Sequence, residues 1–161
     1  MSVNHNQIEI DALKVLEANN ITQPVVDVRK IAQRSGYEIK EVKMPSGHEG
    51  VAGFHDKDGK VIYVAIDDSP SRKLFTIAHE LGHIFLGHPN YSVLFRIPKK
   101  DAEYSEAEQE ANSFAAHLLM PKFMVQEKLD QYHLSRADYK KMAEIFGVPI
   151  SSMQHTLEYL K

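Results

Sequence analysis

Cysteine is absent from this 161-residue chain, and its absence excludes several kinds of chemistry. Without it there is no disulfide framework, no thiolate metal site and no cysteine nucleophile. The chain also has no uninterrupted run of about 18 apolar residues, the length that a membrane-spanning helix needs. Its N-terminus does not show a basic region followed by an apolar run. We therefore expect neither a membrane span nor a secretion signal, and by default a cytoplasmic location.

An excess of positive charge is also missing. The chain has 19 Lys and Arg residues against 22 Asp and Glu residues, which gives a formal net charge of −3 at pH 7. Such a balance provides no general attraction to the phosphates of nucleic acid. Repeats and low-complexity linkers are absent too, so we expect one domain over residues 1–161, large enough to bury a core without disulfides. Nothing in the composition indicates an oligomeric state.

Hydrophobic periodicity divides the chain into four regions. Two short helices, residues 8–19 and 25–35, are predicted within the N-terminal region, and three strands follow, at residues 37–42, 51–55 and 61–66. A turn at Asp56–Gly59 joins the last two strands. The four regions are the N-terminal helices at 1–36, the sheet at 37–67, two further helices at 69–121 and the C-terminal helical region at 122–161.

The pentapeptide His79-Glu80-Leu81-Gly82-His83 is the pattern of a zinc-dependent peptidase. On a helix, residues four apart project from the same side, so His79 and His83 can direct imidazole nitrogens at one ion. Glu80 lies about 100° further round the helix, where its carboxylate can reach a water molecule beside the metal. The pattern therefore predicts two metal ligands, His79 and His83, and a general base, Glu80.

The flanking residues predict a helix for this motif. Ser69-Pro70 has the form of an N-cap followed by proline in the first turn, and Gly87-His88-Pro89 is a stop signal. Gly82 is unexpected inside a helix, where glycine costs about 1 kcal/mol relative to alanine. The close approach of a second helix would explain it.

A third ligand is expected in a second helix, between Ser105 and Pro121. The class of zinc peptidases with a third histidine requires glycine at position 86 and histidine at position 89, but the chain has Leu86 and Pro89. Helical periodicity places Glu108 on the same face as Ala111, Asn112 and Ala115, and the two alanines would allow contact with Gly82.

Glu108 is therefore the predicted third ligand, and Asn112 is the predicted hydrogen-bond partner of a ligand histidine. Glu110 stays open as the alternative third ligand, although periodicity places it with Phe114 and His117. The acidic start of this helix, Glu106 included, is also what a solvated first turn favours through the helix dipole.

Residues 75–83 and 108–121 together resemble the ImmA/IrrE family of bacterial metallopeptidases. The likeness extends to residues 24–32 and 146–151, so it covers most of the chain. It implies a gluzincin-like zinc peptidase that cleaves helix-turn-helix transcriptional repressors, often encoded in prophages. Longer members carry a C-terminal sensor domain, and we do not expect regulation by such a domain in these 161 residues.

The order of helices, sheet, histidine helix and glutamate helix is that of a zincin. The predicted fold class is therefore α+β, a minimal zincin-like domain with a small three-stranded antiparallel sheet and C-terminal helices that resemble a helix-turn-helix. The predicted mechanism is hydrolysis assisted by Zn²⁺, with Glu80 moving the proton. The strand at 51–55 is a candidate edge for binding an extended substrate.

Three features leave alternatives open. The oxyanion donor is not identified, because His88, Tyr91 and His117 are all candidates. Residues 90–101 form either a substrate lid or an ordinary connector. The C-terminal segments 135–146 and 151–160 resemble a helix-turn-helix, but the second of them carries no Lys or Arg before Lys161, so direct DNA binding is not expected. A non-catalytic interaction module or DNA-binding regulator is the alternative to a peptidase.

Overall fold

The computed structural model describes residues 2–89 and 105–160, which form seven helices and one sheet of three strands. The predicted loop at 90–101 lies outside the described residues, and so does Tyr91. The elements in chain order are α1 (His5–Ala18), α2 (Val28–Arg34), β1 (Glu38–Val42), β2 (Gly53–Asp56), β3 (Val61–Ala65), α3 (Pro70–Phe85), α4 (Glu106–Leu119), α5 (Lys122–Gln131), α6 (Tyr139–Phe146) and α7 (Ile150–Tyr159).

Both predicted N-terminal helices are present, and side-chain caps determine where they begin. The Asn4 side chain accepts a hydrogen bond from the backbone N–H of Gln7, so α1 begins at His5 rather than at residue 8. Asp27 accepts from the backbone N–H of Lys30 in the same way, so α2 begins at Val28, three residues later than predicted.

The sheet is mixed, and the prediction of an antiparallel sheet was wrong. Strand order is β1-β3-β2; β3 runs antiparallel to β2 and parallel to β1. The turn at residues 57–60 joins β2 and β3 as a hairpin, which explains the antiparallel pair. Residues 43–52 carry the chain across the sheet before β2 begins, so β3 returns beside β1 in the same direction. As a result β2 lies at an edge, with β3 as its neighbour.

Helices α3 and α4 pack with almost no space between their backbones at Gly82. A Cβ atom at Gly82 would lie 3.0 Å from both the Cα and the carbonyl oxygen of Ala111, and 3.2 Å from the Cβ of Phe114. The predicted close approach of a second helix at this glycine is therefore observed. This close packing allows side chains of α3 and α4 to contact one another.

The C-terminal region is helical, as predicted, and contains one more helix, α5, than the two segments singled out in the sequence. Helix α6 begins at Tyr139 rather than at residue 135, because the backbone N–H of Ser135 donates to the Asp138 carboxylate in a turn. Gly147 ends α6 with φ +67°, a conformation that favours glycine, and α7 follows. The two helices pack against each other.

One hydrophobic cluster extends through the described part of the chain. It contains buried side chains from all seven helices and from β3, and its largest members include Leu16, Ile62, Leu81, Phe114 and Phe146. Among residues 2–89 and 105–160, no helix combines the length and the apolar character that crossing a membrane requires.

Candidate metal centre

The histidines of the HExxH motif lie together on one side of α3. The Ser69 hydroxyl accepts a hydrogen bond from the backbone N–H of Arg72, and Pro70 occupies the first turn, so the helix begins as predicted. His79 and His83 lie one turn apart, and their Nε2 atoms are 3.1 Å from each other. The His83 side chain is fully buried, whereas that of His79 is 15% exposed.

Glu108 in the first turn of α4 reaches both histidines. Its Oε2 lies 3.0 Å from the Nε2 of His79, and its Oε1 lies 3.1 Å from the Nε2 of His83. Ser105 caps the helix by accepting from the backbone N–H of Glu108, which fixes the start of this turn beside α3. The three side chains that were predicted to be ligands therefore meet at one point, with one candidate ligand atom from each within 4.8 Å of the others.

The Nδ1 atom of His79, which is its outer nitrogen because Nε2 faces Glu108, has the partner that the sequence predicted. Its Nδ1 lies 2.7 Å from the Oδ1 of Asn112, one turn after Glu108 on α4. An amide oxygen only accepts hydrogen bonds, so the Nδ1–H of His79 donates to it. In the neutral ring this leaves the Nε2 lone pair directed towards Glu108 and His83.

The outer nitrogen of His83 has a partner that the sequence did not predict. Its Nδ1 lies 2.9 Å from the Nδ1 of His88, and the Nε2 of His88 lies 2.6 Å from Oε2 of Glu110. Glu110 thus contacts His88 and not the point where His79, His83 and Glu108 meet. Both ring nitrogens of His88 are engaged in these contacts, so neither points at a substrate carbonyl.

The chemistry of the converging atoms fits a divalent cation. Two imidazole nitrogens and a carboxylate face one another at 3.0–3.1 Å, although all of them are acceptors when the rings are neutral. Zinc binds such atoms at about 2.0–2.2 Å, and a tetrahedral arrangement would separate them by about 3.3 Å. A small adjustment would therefore seat the ion. His79, His83 and Glu108 could hold a metal with an open fourth position.

Electrostatics at the site also favour positive charge. Burial alone would raise the pKa of the Glu108 carboxyl, but hydrogen bonds from His79 and His83, which donate through Nε2 when that atom is protonated in the absence of a metal, outweigh it and hold that pKa well below its usual range. Burial alone would lower the pKa of His79, but the hydrogen bond to Glu108 and the negative charges of Glu80 and Glu108 raise it overall. Glu108 is therefore ionised at neutral pH, as a metal ligand must be.

Glu80, the residue after His79, makes a buried contact with the sheet. Its Oε2 lies 2.7 Å from the Nδ1 of His55, and both side chains are only 1% exposed. His55 lies on the buried face of β2, beside α3. Sequence reasoning missed His55, although a histidine at a buried position of an alternating strand is a signal, since buried polar groups need partners.

The remaining oxyanion candidate lies elsewhere. His117 is near the C-terminal end of α4, and the charges that act on it are those of Glu9 and His5 on the side of α1. Burial lowers the pKa of His117. Its surroundings indicate a packing role against α1, and the structure does not bring it to the histidine motif.

A small sheet, a helix with HExxH and a second helix that supplies a glutamate define a zincin-like α+β domain. The chain belongs to the Peptidase_M78 family, described as the IrrE N-terminal-like domain, because the family model matches residues 32–158. The resemblance to ImmA/IrrE proteins is thereby confirmed. Membership of a peptidase family supports peptidase activity in general. The group of His79, His83 and Glu108, which could hold a metal ion, is consistent with a metallopeptidase.

Two similar proteins extend this comparison. The chain is 31% identical over 104 residues to "Uncharacterized immunity region protein 2" of Bacillus phage phi105, a match that spans 63% of each protein. A solved structure, a Mycobacterium tuberculosis transcriptional regulator, superposes with a TM-score of 0.71 at 20% identity. That match covers 96% of this chain but only 47% of the regulator, and at this identity it supports the fold alone.

Proposed function

We propose that this chain is a zinc-dependent endopeptidase in which His79, His83 and Glu108 hold the metal. The observation that carries the proposal is that His79, His83 and Glu108, which could hold a metal, meet at one point in a member of a peptidase family. Glu80, the residue that follows His79 in the sequence, is buried. Two histidines and a glutamate are a ligand set of catalytic zinc sites, which keep a position open for water or substrate.

Glu80 has the role of general base and then general acid. Zinc in such a site supplies Lewis-acid chemistry, in which the pKa of water falls to about 7 and the scissile carbonyl is polarised. Glu80 accepts a proton from the attacking water as the oxygen bonds to the carbonyl carbon. It then delivers that proton to the departing amine nitrogen as the C–N bond breaks.

His55 positions Glu80 for these transfers. The Nδ1–H of His55 donates to Oε2 of Glu80 at 2.7 Å, in a place that solvent barely reaches. Because His55 belongs to β2, the sheet and not only α3 determines the orientation of the Glu80 carboxylate. The same strand connects the base to the sheet edge at which an extended substrate would add.

The proposed substrate is a transcriptional repressor of the helix-turn-helix kind, which acts in the bacterial cytoplasm. Its support is the ImmA/IrrE resemblance together with the phage relative, whose name refers to an immunity region. Within residues 2–89 and 105–160, β2 is an edge strand whose sheet neighbour is β3 alone, so an extended segment of the repressor can bind by adding a strand on its other side.

The test combines metal analysis with a cleavage assay. Zinc-loaded wild-type protein is incubated with a repressor encoded beside it, and new peptide termini are identified by mass spectrometry. We expect cleavage by wild type and none by Glu80→Gln, which should still bind zinc because Glu80 is not a ligand. Cleavage by Glu80→Gln at the wild-type rate would exclude Glu80 as the base. Full biological activity of this variant without cleavage would instead favour a non-catalytic interaction module.

DNA binding is the less favoured alternative. Helix α7, which would occupy the place of a recognition helix, contains neither Lys nor Arg, and its exposed positions include Glu158 and Tyr159. A DNA-reading surface needs several cationic contacts to phosphates. Tight, sequence-specific binding in a mobility-shift assay at moderate salt would overturn this view.

A further inference from the structure

We propose that His88 and Glu110 form a positioning pair that fixes the imidazole of His83 for metal binding. The inference rests on the proposed function, because it gives this pair a role only if His83 binds a metal. Neither residue is among the three that meet at the centre, yet together they connect the Nδ1 of His83 to a carboxylate through two contacts of 2.9 Å and 2.6 Å.

The end of α3 brings His88 beneath His83. Gly87 adopts a left-handed conformation with φ +71°, and the backbone N–H of His88 then donates to the carbonyl oxygen of His83 at 3.0 Å. This turn folds the chain back on the last turn of the helix. The sequence Gly87-His88 therefore ends the helix and also places an imidazole against the Nδ1 of His83.

The direction of the hydrogen bonds follows from Glu110. An ionised carboxylate only accepts, so the Nε2 of His88 carries the proton that is shared over 2.6 Å. A neutral His88 then has a lone pair on Nδ1 and accepts the Nδ1–H of His83. His83 is left with its lone pair on Nε2, the atom that faces Glu108 at 3.1 Å.

Without Glu110, His88 could carry its proton on Nδ1 instead. That proton would point at the Nδ1 of His83, so His83 would have to accept there and carry its own proton on Nε2, which would block the metal-binding atom. Because the His83 side chain has no exposed surface, water has little access to the ring and cannot readily replace His88 as its hydrogen-bond partner. The pair therefore acts on the choice of tautomer and on ring orientation.

The test measures zinc affinity of the full-length protein by competition with a chromophoric chelator. Loss of an outer partner of a metal-binding histidine typically weakens metal binding by about 10- to 100-fold. We expect a loss in this range for Glu110→Ala. Glu110→Gln, whose amide oxygen can still accept from His88, should recover part of it. Glu106→Gln is the matched control, because it removes a charge from the exposed first turn of the same helix, and its affinity should equal that of wild type.

Each outcome of the experiment either supports or overturns the inference. Equal affinities for wild type, Glu110→Ala and His88→Leu would overturn the positioning role and leave the proposed function intact. A loss in Glu110→Ala with no recovery in Glu110→Gln would also overturn it, since an amide oxygen that accepts from His88 would then not be enough to orient His83. If Glu110→Ala fails to fold, His88→Leu provides the decisive comparison with wild type. A wild-type protein that binds no zinc would overturn the proposed function as well.

Discussion

Two pairs of packed helices in this protein bury very different side chains. Helix α3, which packs against α4 and the sheet, buries Glu80 and His83, which are ionisable and almost inaccessible to solvent. Helices α6 and α7 bury only apolar side chains, which are Met142, Ala143, Phe146, Met153 and Leu157. Buried polar groups are unfavourable for folding unless they are hydrogen-bonded, and an apolar core would be simpler. The comparison agrees with the proposal that chemistry takes place at α3 and α4, whereas α6 and α7 bury an apolar core.

The largest effect is expected when Glu108, the proposed third ligand, is removed. Glu108→Ala should weaken zinc binding by more than the about 10- to 100-fold expected for outer partners, and peptidase activity should disappear with the metal. The measurements are chelator competition and repressor cleavage. Glu144→Ala, an exposed glutamate of α6, is the matched control and should retain both properties. Tight zinc binding by Glu108→Ala would exclude Glu108 as a ligand.

The next largest effect is expected at His55, which links the sheet to Glu80. A displacement of about 1 Å at a reacting group can reduce rates by about 100-fold, and we expect up to this loss in kcat for His55→Leu with zinc binding unchanged. His55→Asn should recover part of the rate, because its amide can still donate to Glu80. Equal rates for the two variants would argue against a hydrogen-bonding role.

Gly82→Ala tests whether the close packing of α3 and α4 matters energetically. The new Cβ would lie 3.0 Å from the backbone of Ala111, so the helices must separate. Overpacking of this kind costs about 1–3 kcal/mol of unfolding free energy, offset in part by about 1 kcal/mol of helix propensity. Urea denaturation provides the measurement, with exposed Gln154→Ala in α7 as the control, expected within about 0.5 kcal/mol of wild type. A stabilised Gly82→Ala would contradict the packing described.

The smallest expected effect concerns His117 and acid. Burial lowers its pKa in the folded protein below the unfolded value of 6.5. The unfolded chain therefore binds more protons in this window, so His117 contributes stability above pH 6.5 that is lost as the pH falls through its folded pKa. His117→Gln should reduce the fall in melting temperature between pH 7.5 and pH 5, approximately the range concerned. His155→Gln in α7 is the exposed control. An unchanged pH profile in His117→Gln would contradict the shift.

Local patterns predicted more of this molecule than long-range pairing did. Ser69 and Pro70 indicated the start of α3, and the periodicity of α4 placed Glu108 and Asn112 on the face that meets the histidines. These features depend on neighbours within one or two helical turns. The partners of Glu80 and His83 were missed because they come from β2 and from beyond the end of α3, where no helical spacing applies.

The error in the sheet has a similar origin. Alternation along a strand shows which face is buried, but not whether its neighbour is parallel. The hairpin between β2 and β3 was predictable from the turn at Asp56–Gly59, whereas the position of β1 depended on the path of residues 43–52. That path is a property of the whole fold, which the local sequence does not encode.

The most direct test of the central claim is the metal content of the purified wild-type protein. After reconstitution with Zn²⁺ and removal of loosely bound metal, elemental analysis should find one zinc per chain, and His83→Ala should retain none under the same treatment. Wild-type protein without bound zinc, or one zinc per chain in both proteins, would contradict a metal centre at His79, His83 and Glu108.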